Sequence, residues 1–272
     1  MKHFLLICVS MLISISSSAF QSYKTVSAKS ISMGGISLLP ADFWSVFNNQ
    51  AGLATNNYWA GGFAYDSYLG IDKNLSLKSA GLLIPTKSGT FGLNLNYYGY
   101  SAYNEQKIGL AYGKSLAKMV SVGLQIDYLS VNLGGDYGNA GAVTFELGII
   151  AQLSDNWQIA SHVFNPFMVK IGQINPETIP AIIKIATAYT IDQDILLLAE
   201  YEQQTDIKGV FKVGMEYRVI EQFFVRGGLS TNPDLFSFGI GLKMSNLNLD
   251  VGTSYHQVLG FSPKAALYYR FK

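Results

Sequence analysis

Segments of about ten residues with alternating apolar and polar side chains follow one another from residue 58 to the end of the chain. Residues 211–219 read FKVGMEYRV, and residues 247–256 read LNLDVGTSYH. A period of two is that of a β-strand with one apolar and one polar surrounding. Beyond residue 20, no apolar run approaches the roughly 20 residues that a membrane-spanning helix needs. The pattern is typical of a barrel that crosses a membrane with strands.

Fourteen such segments predict fourteen strands. Short connections, such as 85–89 and 153–155, follow the even-numbered segments, whereas the connections after odd-numbered segments are mostly longer, up to 165–180. Bacterial barrels combine short periplasmic turns with longer outer loops. We therefore predict an all-β fold: an antiparallel, up-and-down transmembrane β-barrel with both termini in the periplasm. The predicted strands are 58–66, 74–84, 90–98, 105–114, 119–132, 141–152, 156–164, 181–190, 194–203, 209–219, 222–231, 235–244, 247–256 and 264–272.

One predicted strand interrupts its own alternation. In the fifth segment the apolar side chains change phase at Leu129, where the sequence runs from IDY into LSV. An extra residue in one strand of a pair produces such a change. We therefore expect a β-bulge at this position.

The first nineteen residues have the form of a secretory signal peptide. A short basic start is followed by an apolar core from Phe4 to Ile15 and by the small residues Ser17-Ser18-Ala19. The single cysteine, Cys8, lies in that core. A chain cleaved after Ala19 has no disulfide, no thiolate nucleophile and no cysteine-bound metal.

Charge and histidine content argue against several functions. Nineteen basic and 18 acidic residues give a net charge of +1, without the excess that nucleic-acid binding requires. Beyond the signal peptide only His162 and His256 remain, on predicted strands that lie far apart around the barrel. Nucleophilic catalysis requires a base beside a nucleophile and an orienting group. We therefore predict no enzyme, no metal site and no cofactor.

Residues 20–57 lack the alternation and precede the predicted barrel, residues 58–272. Fourteen strands enclose more space than their inward side chains fill. A compact segment rich in small residues is a natural plug, so we expect it to form a hatch inside the barrel. Trp44 and Phe47 have two alternatives, packing within the hatch or contact with a hydrophobic ligand. The candidate hatch residues are Met33, Gly34, Gly35, Trp44, Phe47, Asn48, Asn49, Ala51 and Gly52.

Two motifs in this segment resemble a known family. The small-residue stretch 27–35 ends in Met-Gly-Gly, and residues 47–54 read FNNQAGLA. The pair is similar to the start of FadL-like outer-membrane barrels, most of all to the PorV/PorQ branch of Bacteroidetes-type bacteria. Gln50 stands where that family usually has proline. The resemblance implies a fourteen-stranded barrel with an N-terminal hatch, in the outer membrane of a Gram-negative bacterium.

Charged residues on the polar phase of the strands have two alternative roles. They either line a selective passage or form a balanced network that holds the hatch, because an unpaired buried charge is costly. The residues concerned are Lys107, Asp127, Glu146, Lys184, Lys212, Glu216, Arg218, Arg226, Lys243, Asp250 and Arg270.

The longest connection is unusually apolar for an outer loop. Exposed apolar patches tend to mark interaction sites. The loop therefore either contacts a partner protein or folds inward over the barrel mouth. The candidate partner residues are Phe167, Met168, Val169 and Ile171.

Two functions follow from these expectations. The resemblance to PorV and PorQ implies a non-enzymatic accessory or scaffold protein of an envelope machine, of the type IX secretion kind. The alternative is a FadL-like transporter that passes small hydrophobic molecules sideways or past a moved hatch. The expected partners are the lipid bilayer, other envelope or secretion proteins, and a small hydrophobic ligand, with no nucleic acid.

Overall fold

Fourteen antiparallel strands close into one barrel in the part of the chain that the structure describes. The structure is a computed structural model, and it describes residues 24–67, 75–134, 138–172, 176–205, 207–257 and 260–271. The predicted signal peptide lies outside these residues. The barrel strands are β1 (Ala60–Ser67), β2 (Ser76–Thr86), β3 (Gly89–Tyr100), β4 (Tyr103–Ala117), β5 (Val120–Leu133), β6 (Asn139–Ser154), β7 (Trp157–Phe164), β10 (Ile182–Ile191), β11 (Ile195–Gln204), β12 (Val210–Ile220), β13 (Phe223–Ser230), β14 (Leu235–Met244), β15 (Leu247–His256) and β16 (Gly260–Arg270).

The fourteen-strand prediction is confirmed, and each strand pairs with its neighbours in sequence. The largest boundary difference is at the last strand, which begins at Gly260 rather than at Lys264. The barrel closes where β1 pairs with β16, with Ala60 opposite Arg270. A short hairpin, β8 (Lys170–Ile171) with β9 (Glu177–Thr178), lies in the connection between β7 and β10.

The two ends of the barrel differ in their connections. One end, called the turn end, carries Ala60, Arg270 and six connections of two or three residues; these are 87–88, 118–119, 155–156, 192–194, 221–222 and 245–246. The opposite end, called the loop end, carries most of the longer connections, including 165–181. The predicted parity of short and long connections is therefore present.

The strand alternation separates an apolar outside from a polar inside. On β12, Phe211, Val213 and Met215 point outward and are 45–65% exposed, whereas Lys212 is buried in the lumen. Outward apolar side chains of this kind fit a lipid environment. No helix among the described residues is long and apolar enough to cross a membrane.

The predicted bulge at Leu129 is wrong. β5 pairs without a break across this position, with Leu129 opposite Lys107 on one side and Ala142 on the other. Leu129 is fully buried because the side chains of Ile171 and Ile179, from the 165–181 connection, cover it from inside the barrel. Leu129 is therefore an apolar residue that faces the lumen because it packs against the 165–181 connection, and the alternation of the strand continues through it. The register shifts instead near the turn end, for example between Ser115 and Ala117.

Three short helical turns form the chain ahead of the barrel. They are α1 (Ala28–Ser32), α2 (Ser45–Asn48) and the 3-10 turn η1 (Gln50–Thr55). The Ser27 hydroxyl caps α1 by accepting hydrogen bonds from the backbone of Lys29 (3.1 Å) and Ser30 (3.4 Å). The Asn49 side chain caps η1 in the same way. Turns this short have little stability alone and depend on the wall around them.

Candidate functional site

The N-terminal segment, residues 24–57, runs through the lumen from the loop end to the turn end. Lys24 lines a cavity at the loop end together with Asp66, which lies near the end of β1. Further along, α1 packs against β13–β16, and η1 packs against β3–β6. The segment joins the barrel at the turn end. The prediction that both termini lie at the same end of the barrel therefore holds for the first and last barrel strands. It is wrong for Lys24, the first described residue, which lies at the loop end.

Glu200 on β11 forms one polar attachment of this segment. Its carboxylate accepts hydrogen bonds from the backbone N–H groups of Ser37 (2.8 Å) and Leu38 (3.0 Å). Lys212 donates to Glu200 (2.8 Å) and to the carbonyl oxygen of Gly35 (3.2 Å). Charge-assisted hydrogen bonds are stronger than neutral ones. This pair of wall residues therefore holds the segment by its backbone.

Gln50 forms a second attachment, to β5 and β6. Its amide nitrogen donates to Glu146 (2.6 Å) and to Gln125 (3.2 Å). The Asn94 amide donates to the carbonyl oxygen of Val46 (2.7 Å). The residue that replaces the family's usual proline is therefore fully buried and bonded to the wall.

Four ionisable residues lie behind this attachment. Lys107 contacts Glu146 and lies 3.7 Å from Asp127, and His162 lies 3.0 Å from Glu146. The side chains are at most 5% exposed. Because unpaired charges are costly in such surroundings, these contacts favour the network alternative over an open selective lining.

Inward glycines of the wall make room for the segment. A Cβ at Gly92 would lie 2.6 Å from Val46, and one at Gly214 would lie 2.7 Å from the Cβ of Met33. Neither distance allows a side chain. These contacts were not predicted from the sequence, although glycines recur on the polar phase of the strands. A glycine in a strand often marks a site where another backbone approaches closely, so these inward glycines could have indicated where the N-terminal segment touches the wall.

Most of the candidate hatch residues lie in the interior, and Gly35 is partly exposed. Met33 and Gly34 lie against β12 and β13, while Ala51 and Gly52 belong to η1. The Asn48 amide donates to the carbonyl oxygen of Val26 (3.0 Å), which ties α2 to the start of the segment. The buried candidates are Met33, Gly34, Trp44, Phe47, Asn48, Asn49, Ala51 and Gly52.

Trp44 and Phe47 take part in an aromatic cluster. Phe43 stacks on Tyr268 of β16 with ring centres 4.9 Å apart, and Trp44 meets Phe43 edge-on at 5.0 Å. Phe47 lies 6.0 Å from Trp44. Trp44 and Phe47 do not line either of the cavities described next, which favours packing over ligand contact.

The loop-end cavity has a volume of about 430 Å³. Its floor is formed by Ile31, Gly34 and Gly35 of the N-terminal segment, and its walls by strands on one side of the barrel. The wall carries apolar side chains beside charged ones. The apolar side chains include Ile182, Val210 and Leu235. The charged side chains include Lys184, Glu202 and Lys212.

The turn-end cavity, of about 190 Å³, lies on the same side of the lumen. Its lining includes Lys29 of α1 and Glu216 and Arg226 of the wall. Because Ile31 faces the first cavity and Lys29 the second, the single turn of α1 separates the two. Met33 and Gly34, which follow α1, fill the space beside Gly214 and Gly228 of the wall.

The 165–181 connection divides between the inside and the outside. The fully buried Asn165 accepts a hydrogen bond from Thr144 (2.7 Å) and donates to the carbonyl oxygen of Ile179 (2.7 Å). Val169 and Ile171 pack inward with Leu129. Phe167 and Met168 point outward, 72% and 45% exposed. The inward half agrees with the alternative of a loop that folds over the barrel mouth, whereas partner contact through Phe167 and Met168 stays a prediction.

The two histidines remain apart. His162 is buried beside Glu146, whereas His256 lines the loop-end cavity. The described residues contain no group of three or more His, Cys, Asp or Glu side chains arranged to hold a metal ion.

Solved structures of similar fold include a hydrocarbon channel, a toluene transporter and a FadL homologue. The CymD monoaromatic hydrocarbon channel matches with a TM-score of 0.71 and 13% identity, over 93% of this chain and 99% of that one. The Ralstonia pickettii toluene transporter TbuX matches at 0.70 and 13%, over 92% and 99%. A Pseudomonas aeruginosa FadL homologue matches at 0.67 and 13%, over 91% and 99%.

No protein-family model and no curated protein matches the chain. At this level of identity the likeness concerns the fold, and the chain has the fold of FadL-like barrels. The FadL-like part of the sequence resemblance is therefore supported. The resemblance to the PorV/PorQ branch stays a prediction.

Proposed function

We propose that the chain is an outer-membrane channel for small hydrophobic molecules. The observation that carries this proposal is the pair of cavities on one side of the lumen, with α1 and the adjoining Met33 and Gly34 between them. A molecule would enter the loop-end cavity from outside the cell, and movement of α1 would admit it to the turn-end cavity and the periplasm.

The size and lining of the loop-end cavity support this function. A volume of about 430 Å³ lies within the range of roughly 300–1,000 Å³ for sites of small ligands. Ile182, Val210 and Leu235 offer apolar contact there. The solved channels of this fold are described as conducting monoaromatic hydrocarbons or toluene, and a ligand of that size would fit.

The accessory role remains a second candidate. It rests on the PorV/PorQ-like motifs and on Phe167, which is 72% exposed at the loop end and could contact another envelope protein. The fold likeness favours the channel. Capture of one defined secretion component from native membranes by the wild type, and its loss with Phe167→Ser, would support the accessory role.

Uptake of radiolabelled toluene by intact cells tests the channel. We expect cells that carry the protein to take up toluene severalfold faster than cells without it. Ser237→Trp should abolish the gain because its side chain projects into the loop-end cavity. Phe238→Trp is the matched control, since Phe238 is the next residue of β14 and faces outward. Equal uptake with and without the protein would exclude the proposed function.

A further inference from the structure

In the deep part of the turn-end cavity, the carboxylates are paired with cationic side chains. Lys29 lies 3.1 Å from Asp42 and 3.8 Å from Glu216. Arg226 lies 2.5 Å from Glu216 and 2.6 Å from Asp250. Each of these carboxylates has a cationic partner, so this part offers no attraction to an anion.

The opening of the same cavity is different. Lys243 of β14 and Arg270 of β16 line it close to the turn between β14 and β15. Among the described residues, no carboxylate lies within ion-pair distance of either side chain. The lining as a whole has four cations and three carboxylates, a net charge of +1, and the excess lies at the opening.

Aromatic rings hold Arg270 where a carboxylate partner would otherwise be expected. Its guanidinium carbon lies 4.8 Å from the centre of the Tyr58 ring and 5.9 Å from that of Tyr268. Cation–π contacts orient a guanidinium without neutralising its charge. Its Nε has no hydrogen-bond acceptor in the described part of the chain.

Asn248 adds a further donor between the two cations. It lies directly opposite Lys243 in the β14–β15 pair and opposite Tyr268 in the β15–β16 pair. The side chain is 8% exposed, and its amide nitrogen also lacks an acceptor among the described residues. A buried donor without an acceptor is destabilising, and a bound acceptor removes that cost.

We propose that this opening is a binding site for an oxyanion, the carboxylate or phosphate group of a small molecule, held by Lys243, Asn248 and Arg270. Two cations and an amide donor on three adjacent strands match the several acceptor oxygens of such a group. The site does not depend on transport. It is filled from the turn end with α1 in place.

Isothermal titration of the full-length protein in an uncharged detergent tests the site. The probes are inorganic phosphate and sodium octanoate, at constant ionic strength. We expect one probe or both to bind with one molecule per chain. Lys243→Ala and Arg270→Gln should each weaken binding about tenfold, because each removes a charged donor. The control Lys118→Ala, in another connection at the turn end, should leave the affinity for both probes unchanged.

The two probes separate the possible sources of the oxyanion. Tighter binding of octanoate indicates an amphiphile whose chain lies along Phe224, whereas binding of phosphate alone indicates a phosphate group. Lys243→Arg should retain binding, which distinguishes lost charge from lost structure. Absence of binding with both probes, or equal affinity in the wild type, Lys243→Ala and Arg270→Gln, would overturn the proposal. Either result leaves the toluene uptake measurement unaffected.

Discussion

Glu200→Ala should loosen the N-terminal segment from the wall without unfolding the barrel. The substitution removes the acceptor of two backbone N–H groups, those of Ser37 and Leu38, in the fully buried interior. Each buried donor left unsatisfied costs about 1–3 kcal/mol. Loss of the acceptor for both N–H groups therefore costs about 2–6 kcal/mol. We use the lower figure because water can enter the space left by the carboxylate.

Hydrogen exchange measured by mass spectrometry reports this change directly. A cost of about 2 kcal/mol corresponds to an increase of about 30-fold in local opening. We expect that increase in the peptide covering residues 33–40 and little change in the peptides of β10–β12. The strands keep their ladder hydrogen bonds on both sides, so the loss stays local.

Glu202→Ala is the matched control. Glu202 lies two residues further along β11 and forms ion pairs with the wall residues Lys184 (3.4 Å) and Lys212 (2.6 Å). Both substitutions remove one carboxylate from Lys212 and leave it the other. Equal exchange in residues 33–40 for the two variants would refute the role of Glu200 in holding the segment.

Three further predictions concern insertion, topology and conduction. Val251→Arg should destabilise the barrel folded in lipid by about 2–4 kcal/mol because Val251 faces outward. Ser254→Arg on the same strand should be tolerated because its side chain projects into the loop-end cavity. Equal yields of folded protein for the two variants in a gel-shift assay would disprove this orientation. A cysteine replacing Phe167 should react with an impermeant maleimide on intact cells and one replacing Lys118 should not, and the reverse pattern would show that the turn end faces outward. Deletion of residues 22–54 should raise single-channel conductance in planar bilayers, provided that the variant still migrates as a folded barrel; a large steady conductance of the intact protein would contradict a plugged lumen.

The strand pattern was predictable because it depends on local chemistry. Each barrel strand has to present apolar side chains to one side, so the period of two is visible in the sequence itself. The lengths of the connections then fixed the pairing, since a two-residue turn joins only adjacent antiparallel strands. Neither step requires knowledge of what lies inside the barrel.

The interior was less predictable because it depends on contacts between distant parts of the chain. Leu129 looked like a bulge since its partner, Ile171, is 42 positions away. Gly252 lies on the polar phase of its strand, where the alternation alone would allow a small polar side chain, yet a Cβ there would lie 2.8 Å from the carbonyl oxygen of Ala28. We therefore expect Gly252→Ser to disturb α1, contrary to what the polar phase alone indicates.

Lumen charges were placed correctly on the inner face, but their partners were not visible in the sequence. Glu200, absent from the candidates, makes the backbone contacts that hold Ser37 and Leu38. Its strand reads LLLAEYE, in which apolar residues occupy both phases and obscure the pattern. A carboxylate within such a strand is the signal that could have identified it.

The path of the N-terminal segment restricts how the barrel can open. One end of the segment is continuous with β1 at the turn end, and the other, at Lys24, lies near the loop end. The segment thus extends between both mouths of the barrel and does not close just one of them. Pushing it out through the turn end would draw Lys24 and the chain that follows it through the whole length of the lumen. A passage opened by a shift of α1, with both ends of the segment in place, would not require that movement.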